Sequence, residues 1–286
     1  MRKKWIFRAL SLLFCLSALA PNAQAQARDL PIYCVGRDDK TISVTFDAAW
    51  GNEDTQTLID ILGKYGVRAT FFVVGQWVDK YPDSVRALQA AGHEIMSHSD
   101  THAHYPQLSR QQMIADARTC ADKIEAVTGV RPTLLRPPYG DYNDTVVGAM
   151  REAGFTTIQW DVDSLDWKNP GVEAICRRVL DKVKPGSIVL FHNAAAQTPQ
   201  ALPRILETLI ARGYHFLPVS ELIYKDNYHI APDGTQMPNN ETAPAPEKLR
   251  AGAVSFLNNT ICTAARGSLR RTGDRRARRQ RPQSVR

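Results

Sequence analysis

From Thr41 to Val219 short apolar runs alternate with amphipathic stretches of helical period, and this alternation restricts the fold more than any other property of the sequence. The runs I-S-V-T-F-D (42–47), A-T-F-F-V-V (69–74), E-I-M-S-H (94–98), T-L-L-R (133–136), T-T-I-Q-W-D-V (156–162), S-I-V-L-F-H (187–192) and H-F-L-P-V (215–219) read as seven strands. Between them Leu58, Ile61 and Leu62 share a helix face that stops before Gly66, and a longer helix starts at the Ser109 cap and ends at Gly129. Further helices are expected near 143–153, 171–183 and 198–212. Strand, helix, strand in this order requires parallel strands with helical crossovers, as an open sheet or as an irregular (β/α) barrel.

The chain has 286 residues and is 43% hydrophobic, enough to bury the core of one large domain or two small ones. Residues 1–27 stand apart. M-R-K-K-W-I-F-R is basic, A-L-S-L-L-F-C-L-S-A-L-A is apolar, and P-N-A-Q-A-Q-A offers small residues for cleavage after Ala25 or Ala27. The apolar run falls short of the roughly 20 residues that span a bilayer, so a signal peptide and a secreted or envelope-associated protein are expected, with an uncleaved anchor as the alternative. The catalytic-size domain is read as 28–230, followed by a low-complexity extension over 231–286 with an Arg-rich, disordered tail that holds at most one short helix, A-P-E-K-L-R-A-G-A-V-S-F-L.

Charge is distributed unevenly. Residues 1–27 carry four basic groups and no acid, and 266–286 carry nine arginines against Asp274, so of the total +7 the body 28–265 holds −5. A nucleic-acid footprint is therefore not expected on the domain. The arginines suit a solvated end or adhesion to an anionic cell surface. Cys34, Cys120, Cys176 and Cys262 have no zinc-motif spacing; if oxidised, Cys34 and Cys262 are the most plausible pair.

In parallel α/β folds reactive groups collect where strands end and loops leave. The first predicted strand ends in Asp47, the third in His98 with His102 four residues on, and the fourth in Arg136 before P-P-Y-G. The fifth runs into D-V-D-S-L-D-W, with Asp161, Asp163 and Asp166, and the sixth ends in His192. Each residue alone has an ordinary reading: a cap for Asp47, a buried histidine for His192, loop imidazoles for His98 and His102, core aromatics for Trp50 and Trp167. Five strands that deliver competent side chains to one rim make the functional reading the stronger one.

The order T-F-D, H-S-x-x-H, R-P-P-Y-G, D-S-x-D-W and a strand ending in L-F-H resembles the polysaccharide deacetylases of carbohydrate esterase family 4, the NodB homology domain, over residues 40–222. F-D-A-A-W-G-N, G-S-I-V-L-F-H-N and N-Y-H-I are similar to its sporulation-associated branch. The resemblance implies an irregular (β/α) barrel of about seven parallel strands and hydrolysis of N-acetyl groups on peptidoglycan or a related N-acetylglucosamine polymer. It implies a divalent metal, zinc foremost, on His98 and His102; Asp47 as base, oriented by Arg136; and His192 as acid with Asp163 as its partner. The backbone of Tyr139 would hold the oxyanion, with Trp167 and Trp50 lining the sugar groove. Most such enzymes carry a second aspartate after the base, and here that position is Ala48. The third ligand then falls to water, Asp100, Glu53 or His104, and a non-catalytic glycan-binding or wall-structural protein is the alternative.

Overall fold

The computed structural model describes residues 28–239. The expected signal peptide (1–27), Cys262 and the Arg-rich tail lie outside the described residues. Among the described residues no helix is long and apolar enough to cross a membrane.

The main sheet is built from strands β2 (Thr41–Ala48), β3 (Thr70–Val73), β4 (Glu94–Ser97), β5 (Leu134–Leu135), β6 (Thr156–Thr157), β7 (Val162–Asp163) and β8 (Ile188–His192). They run in the order β6-β5-β4-β3-β2-β8-β7, and β9 (His215–Phe216) adds to the start of β2. Every pairing in this sheet is parallel, and helices cover the crossovers, which is the irregular barrel expected from the alternation. The predicted strand 156–162 is two strands, β6 and β7, at opposite ends of the sheet order. Residues 158–161 carry the chain directly from one edge to the other, so the break in the strand is where the curved sheet approaches closure.

The helices follow their sequence signals. Thr55–Lys64 buries Leu58 and Leu62, and Gly66, at φ 65°, takes the left-handed conformation that ends it. Arg110–Thr128 starts with a capping box in which the Ser109 hydroxyl accepts from the Gln112 N–H, and it stops at left-handed Gly129.

The fading pattern after Leu222 hides a second small sheet. Strand β11 (Thr235–Pro238) pairs antiparallel with β10 (Tyr228–Ile230) and parallel with β1 (Cys34–Val35). Strands β10 and β11 are short and mostly half-exposed, so they carry no apolar alternation to read. The ordered domain accordingly runs past residue 230.

Register on β2 decides what reaches the cavity. Phe46 pairs with Phe71 on one side and Phe191 on the other, and the three rings stack at 4.7 and 5.7 Å. Ile42, Val44, Phe46 and Ala48 belong to the buried core between sheet and helices. Side chains alternate along a strand, so Ser43, Thr45 and Asp47 face the barrel interior. A slip of one residue would turn Asp47 into the helix layer and Phe46 into the cavity, and the phenylalanine stack opposes it.

Candidate active site

Asp47 is paired in register with His192 and follows Thr45 on the same face of β2. Arg136, fully buried, donates from Nη1 to Asp47 Oδ1 at 2.7 Å and to the Thr45 hydroxyl at 2.9 Å, and from Nη2 to the Gln159 carbonyl at 3.1 Å. Its guanidinium lies over the Phe72 ring at 4.1 Å. A buried carboxylate without a partner would take up a proton. Burial pushes the Asp47 carboxyl upward, but the adjacent Arg136 cation, with His98 and His192, wins and holds it below the ordinary carboxylate range. Asp47 therefore presents one occupied oxygen, Oδ1, and one, Oδ2, that faces the cavity 3.6 Å from His98 Nε2.

The His98 ring shares a 2.8 Å hydrogen bond between Nδ1 and the Arg136 carbonyl. A carbonyl only accepts, so Nδ1 carries the proton and Nε2 keeps its lone pair toward the cavity. His102 stands beside it with ring centroids 5.0 Å apart, and burial, aided by His98, lowers its pKa to about 4. Both imidazoles are thereby neutral at physiological pH, the form that ligates metal.

On the opposite wall His192 donates from Nδ1 to Asp166 Oδ1 at 2.7 Å, because a carboxylate only accepts, and its backbone N–H donates to Asp166 Oδ2 at 2.8 Å. The Thr198 hydroxyl donates to the same Oδ2 at 2.6 Å. Burial opposes protonation of His192, yet the hydrogen bond and charge of Asp166 raise its pKa above the usual imidazole value. This corrects the expected partner. Asp163 lines the cavity, but its Oδ1 accepts from the Leu165 N–H at 2.8 Å. Asp166 sits one turn further on, at the start of a 3-10 helix (Asp166–Lys168), where the left-handed Leu165 turns the chain back under His192. The motif D-S-L-D-W contains both aspartates, and spacing alone does not say which one the turn folds inward. Asp161 is taken up by the Ser187 hydroxyl and the Ile188 N–H.

These groups share a cavity of about 410 Å3 with Asp47, His98, His102, Asp163 and His192 in its wall. Trp50, Trp167 and Tyr139 line it and remain more than half exposed at its rim. Tyr139 takes φ 61° and stacks on His104 at 3.9 Å. Asn193 is a further brace that strand reading missed. Its amide accepts from Ala49 N and donates to the Gly51 carbonyl, fastening the loop that carries Trp50 to the end of β8. A larger groove of about 600 Å3 opens near the starts of the strands, where Glu94 accepts from Thr70 and Arg131 pairs with Asp122 and Glu125.

The expected divalent ion needs nitrogen or oxygen donors with free lone pairs. His98 and His102 fit one, with neutral rings side by side and a free carboxylate oxygen nearby. A third protein ligand is not gathered: among the described residues no group of three histidines, cysteines or acids is placed to hold a metal. Asp100 is paired with Lys123 at 2.7 Å and His104 with Asp141 at 2.5 Å, while exposed Glu53 folds against Gly51. Ala48 is fully buried, with its methyl in the sheet–helix core. Among the described residues the chain thus offers an ion two histidines and no third protein ligand.

The sequence pattern of the polysaccharide deacetylase family matches residues 35–158. A peptidoglycan-N-acetylglucosamine deacetylase of Bacillus cereus is 37% identical over 197 residues, covering 66% of this chain and 91% of that protein. Among solved structures, a wild-type carbohydrate esterase family 4 pseudoenzyme from Bacillus anthracis superposes with a TM-score of 0.66 at 30% identity, covering 74% of each chain. A mutant of that pseudoenzyme with restored enzymatic activity superposes with the same TM-score at 34% identity, covering 68% of this chain and 71% of the other. The ordered motifs, the parallel barrel and these relatives agree: the chain belongs to the polysaccharide deacetylases of carbohydrate esterase family 4, hydrolases that act on C–N bonds other than peptide bonds.

Proposed function

We propose that this protein is an exported polysaccharide N-deacetylase that removes acetyl groups from peptidoglycan or a related N-acetylglucosamine polymer. The observation that carries the reading is the pairing of two oppositely tuned groups across one cavity: a carboxylate kept charged by a buried arginine, and an imidazole kept protonated by a buried aspartate. A binding module needs neither.

In this reading water adds to the acetyl carbon, the C–N bond breaks, and acetate and a free amine leave. Asp47 Oδ2 takes the water's proton, while Arg136 occupies Oδ1 and fixes the carboxylate plane. His192, anchored at Nδ1 by Asp166, delivers the proton at Nε2 to the departing nitrogen. His98 and His102 would hold a divalent ion, zinc foremost, and the chemistry it supplies is Lewis acidity toward the acetyl carbonyl and the attacking water. Trp50, Trp167 and Tyr139 offer ring faces to the sugar. The basic, apolar leader supports export, and the arginine-rich end supports retention at an anionic wall.

The decisive experiment follows acetate release from N-acetylglucosamine oligomers and peptidoglycan, with chelator and with added zinc. Wild type should release acetate in a zinc-dependent manner, and Asp47→Asn should not. A second reading, a glycan-binding pseudoenzyme, is favoured by one observation, the missing third ligand at Ala48. It predicts a wild type that binds the oligomers yet releases nothing, and activity that appears only when a carboxylate is introduced at position 48 or at the cavity-lining position 49. That result would replace the first reading.

A further inference from the structure

We propose that Asp116 is a positioning residue for His102, holding the loop Ser99–Tyr105 in the one backbone conformation that keeps this imidazole beside His98 in the cavity wall.

The two histidines are secured by different means. His98 continues β4: its N–H donates to the Val73 carbonyl, and its ring is tied to the Arg136 carbonyl. The chain then leaves the sheet. Ser99 and His102 both take left-handed backbone conformations, with φ of 69° and 57°, which side chains with a Cβ rarely adopt. Such strain persists only where surrounding bonds over-determine it.

Those bonds converge on one carboxylate. Asp116 projects from the helix Arg110–Thr128; its Oδ1 accepts from the Asp100 N–H at 2.8 Å and the Tyr105 hydroxyl at 2.9 Å, and its Oδ2 from the Thr101 N–H at 3.2 Å and the Thr101 hydroxyl at 2.7 Å. All four donors belong to the loop. Its carbonyls are secured from the other side, where the N–H groups of Gly75 and Gln76 donate to Ser99 and Asp100. A Cβ at Gly75 would stand 2.0 Å from Asp100 Oδ1, so glycine is what permits that approach. Lys123, two turns along the same helix as Asp116, bridges Asp100 to Asp79, each at 2.7 Å. The His102 N–H closes the turn onto the Ser99 hydroxyl at 2.9 Å.

Removing the Asp116 carboxylate strands two backbone N–H groups and two hydroxyls, and the left-handed turn loses what holds it. His98, fixed from β3 and Arg136, stays in place. The consequence is the separation of a two-imidazole site that has no third protein ligand to spare. The inference rests on the deacetylase reading only for the identity of the ion.

The test compares wild type with Asp116→Asn, Asp116→Ala, Tyr105→Phe and His102→Ala, and with a core variant of matched melting temperature, Leu88→Ala. Zinc affinity is measured by calorimetry without substrate, and hydrogen exchange by mass spectrometry. Asp116→Ala should weaken zinc binding at least about 10-fold, the lower end of the loss for groups that orient metal ligands, approaching His102→Ala. Asp116→Asn, which keeps one accepting oxygen, and Tyr105→Phe should fall between. Exchange should accelerate over residues 98–105 and not in β2 or β8. Equal zinc affinity in Asp116→Ala and Leu88→Ala overturns the proposal and leaves Asp116 a purely structural residue. A wild type without zinc affinity overturns it as well. A wild type that binds zinc but releases no acetate overturns the deacetylase reading alone, because the zinc comparison still decides the role of Asp116.

Discussion

The two walls of the cavity are built in contrasting ways. The acid–base wall consists of Asp47, Arg136, His192 and Asp166, three of them at or just past strand ends, with carboxylate oxygens, guanidinium and imidazole bonded to neighbours in register. The imidazole wall puts His98 just past the end of β4 but His102 on a strained loop, and among the described residues it gathers no third ligand. Strand ends define side-chain position through the ladder and the packing beneath it, so catalytic charges can be buried there in matched pairs. A loop needs a dedicated anchor for each turn.

The contrast can be broken most severely at its base. Asp47→Asn should lower acetate release by about 10²–10⁴-fold, the usual contribution of a general base, while chromatography and circular dichroism report an intact fold. Its stability should also respond to pH in a definite way. The folded-state pKa of Asp47 is depressed, so its contribution is present above the unfolded value of about 3.9 and is lost as pH falls through the folded value. Acid unfolding of wild type should therefore show a term that Asp47→Asn lacks. Next in size is Arg136→Ala, which leaves a buried carboxylate unpaired. Chemical denaturation should register a loss of about 3–5 kcal/mol.

A smaller change sharpens the assignment within the acid–base wall. His192 has a raised folded-state pKa, so its stabilising contribution is present below the unfolded value of about 6.5 and is lost as pH rises through the folded value. The alkaline limb of the rate profile should sit above that value in wild type. Asp166→Asn should shift it downward and reduce the rate about 10–100-fold, as losses of supporting groups do at metal sites. Asp163→Asn should leave the limb where it is; if Asp163→Asn moves it instead, the partner assignment is wrong. The mildest perturbation is at the rim. Trp50 is 54% exposed, so Trp50→Ala should change melting temperature little and raise KM several-fold, in line with about 0.5–1.5 kcal/mol for an aromatic contact.

Different features were legible for different physical reasons. The parallel barrel was visible because burying one face of a strand or helix imposes a period on the sequence, and the main strands and helices keep that period. The strands β10 and β11 bury little and kept none. Asp47, His98, Arg136 and His192 were legible because they end or flank apolar runs. Spacing points to Asp163 and the fold to Asp166, since the choice between them depends on the left-handed turn at Leu165, a conformation the sequence does not announce. Asp116 reads like any helix carboxylate, and its four bonds come from loop residues 11 to 16 positions earlier.

The sequence by itself determined the order of elements, the strand ends that carry chemistry and the alanine that follows Asp47, because these are properties of local pattern and identity. Tertiary structure alone decided which aspartate anchors His192, which carboxylate holds the His102 loop and that the Ala48 methyl lies in the sheet–helix core. Those choices depend on hydrogen bonds between segments distant in the chain, and on the direction in which each turn points its side chains, neither of which a linear pattern specifies.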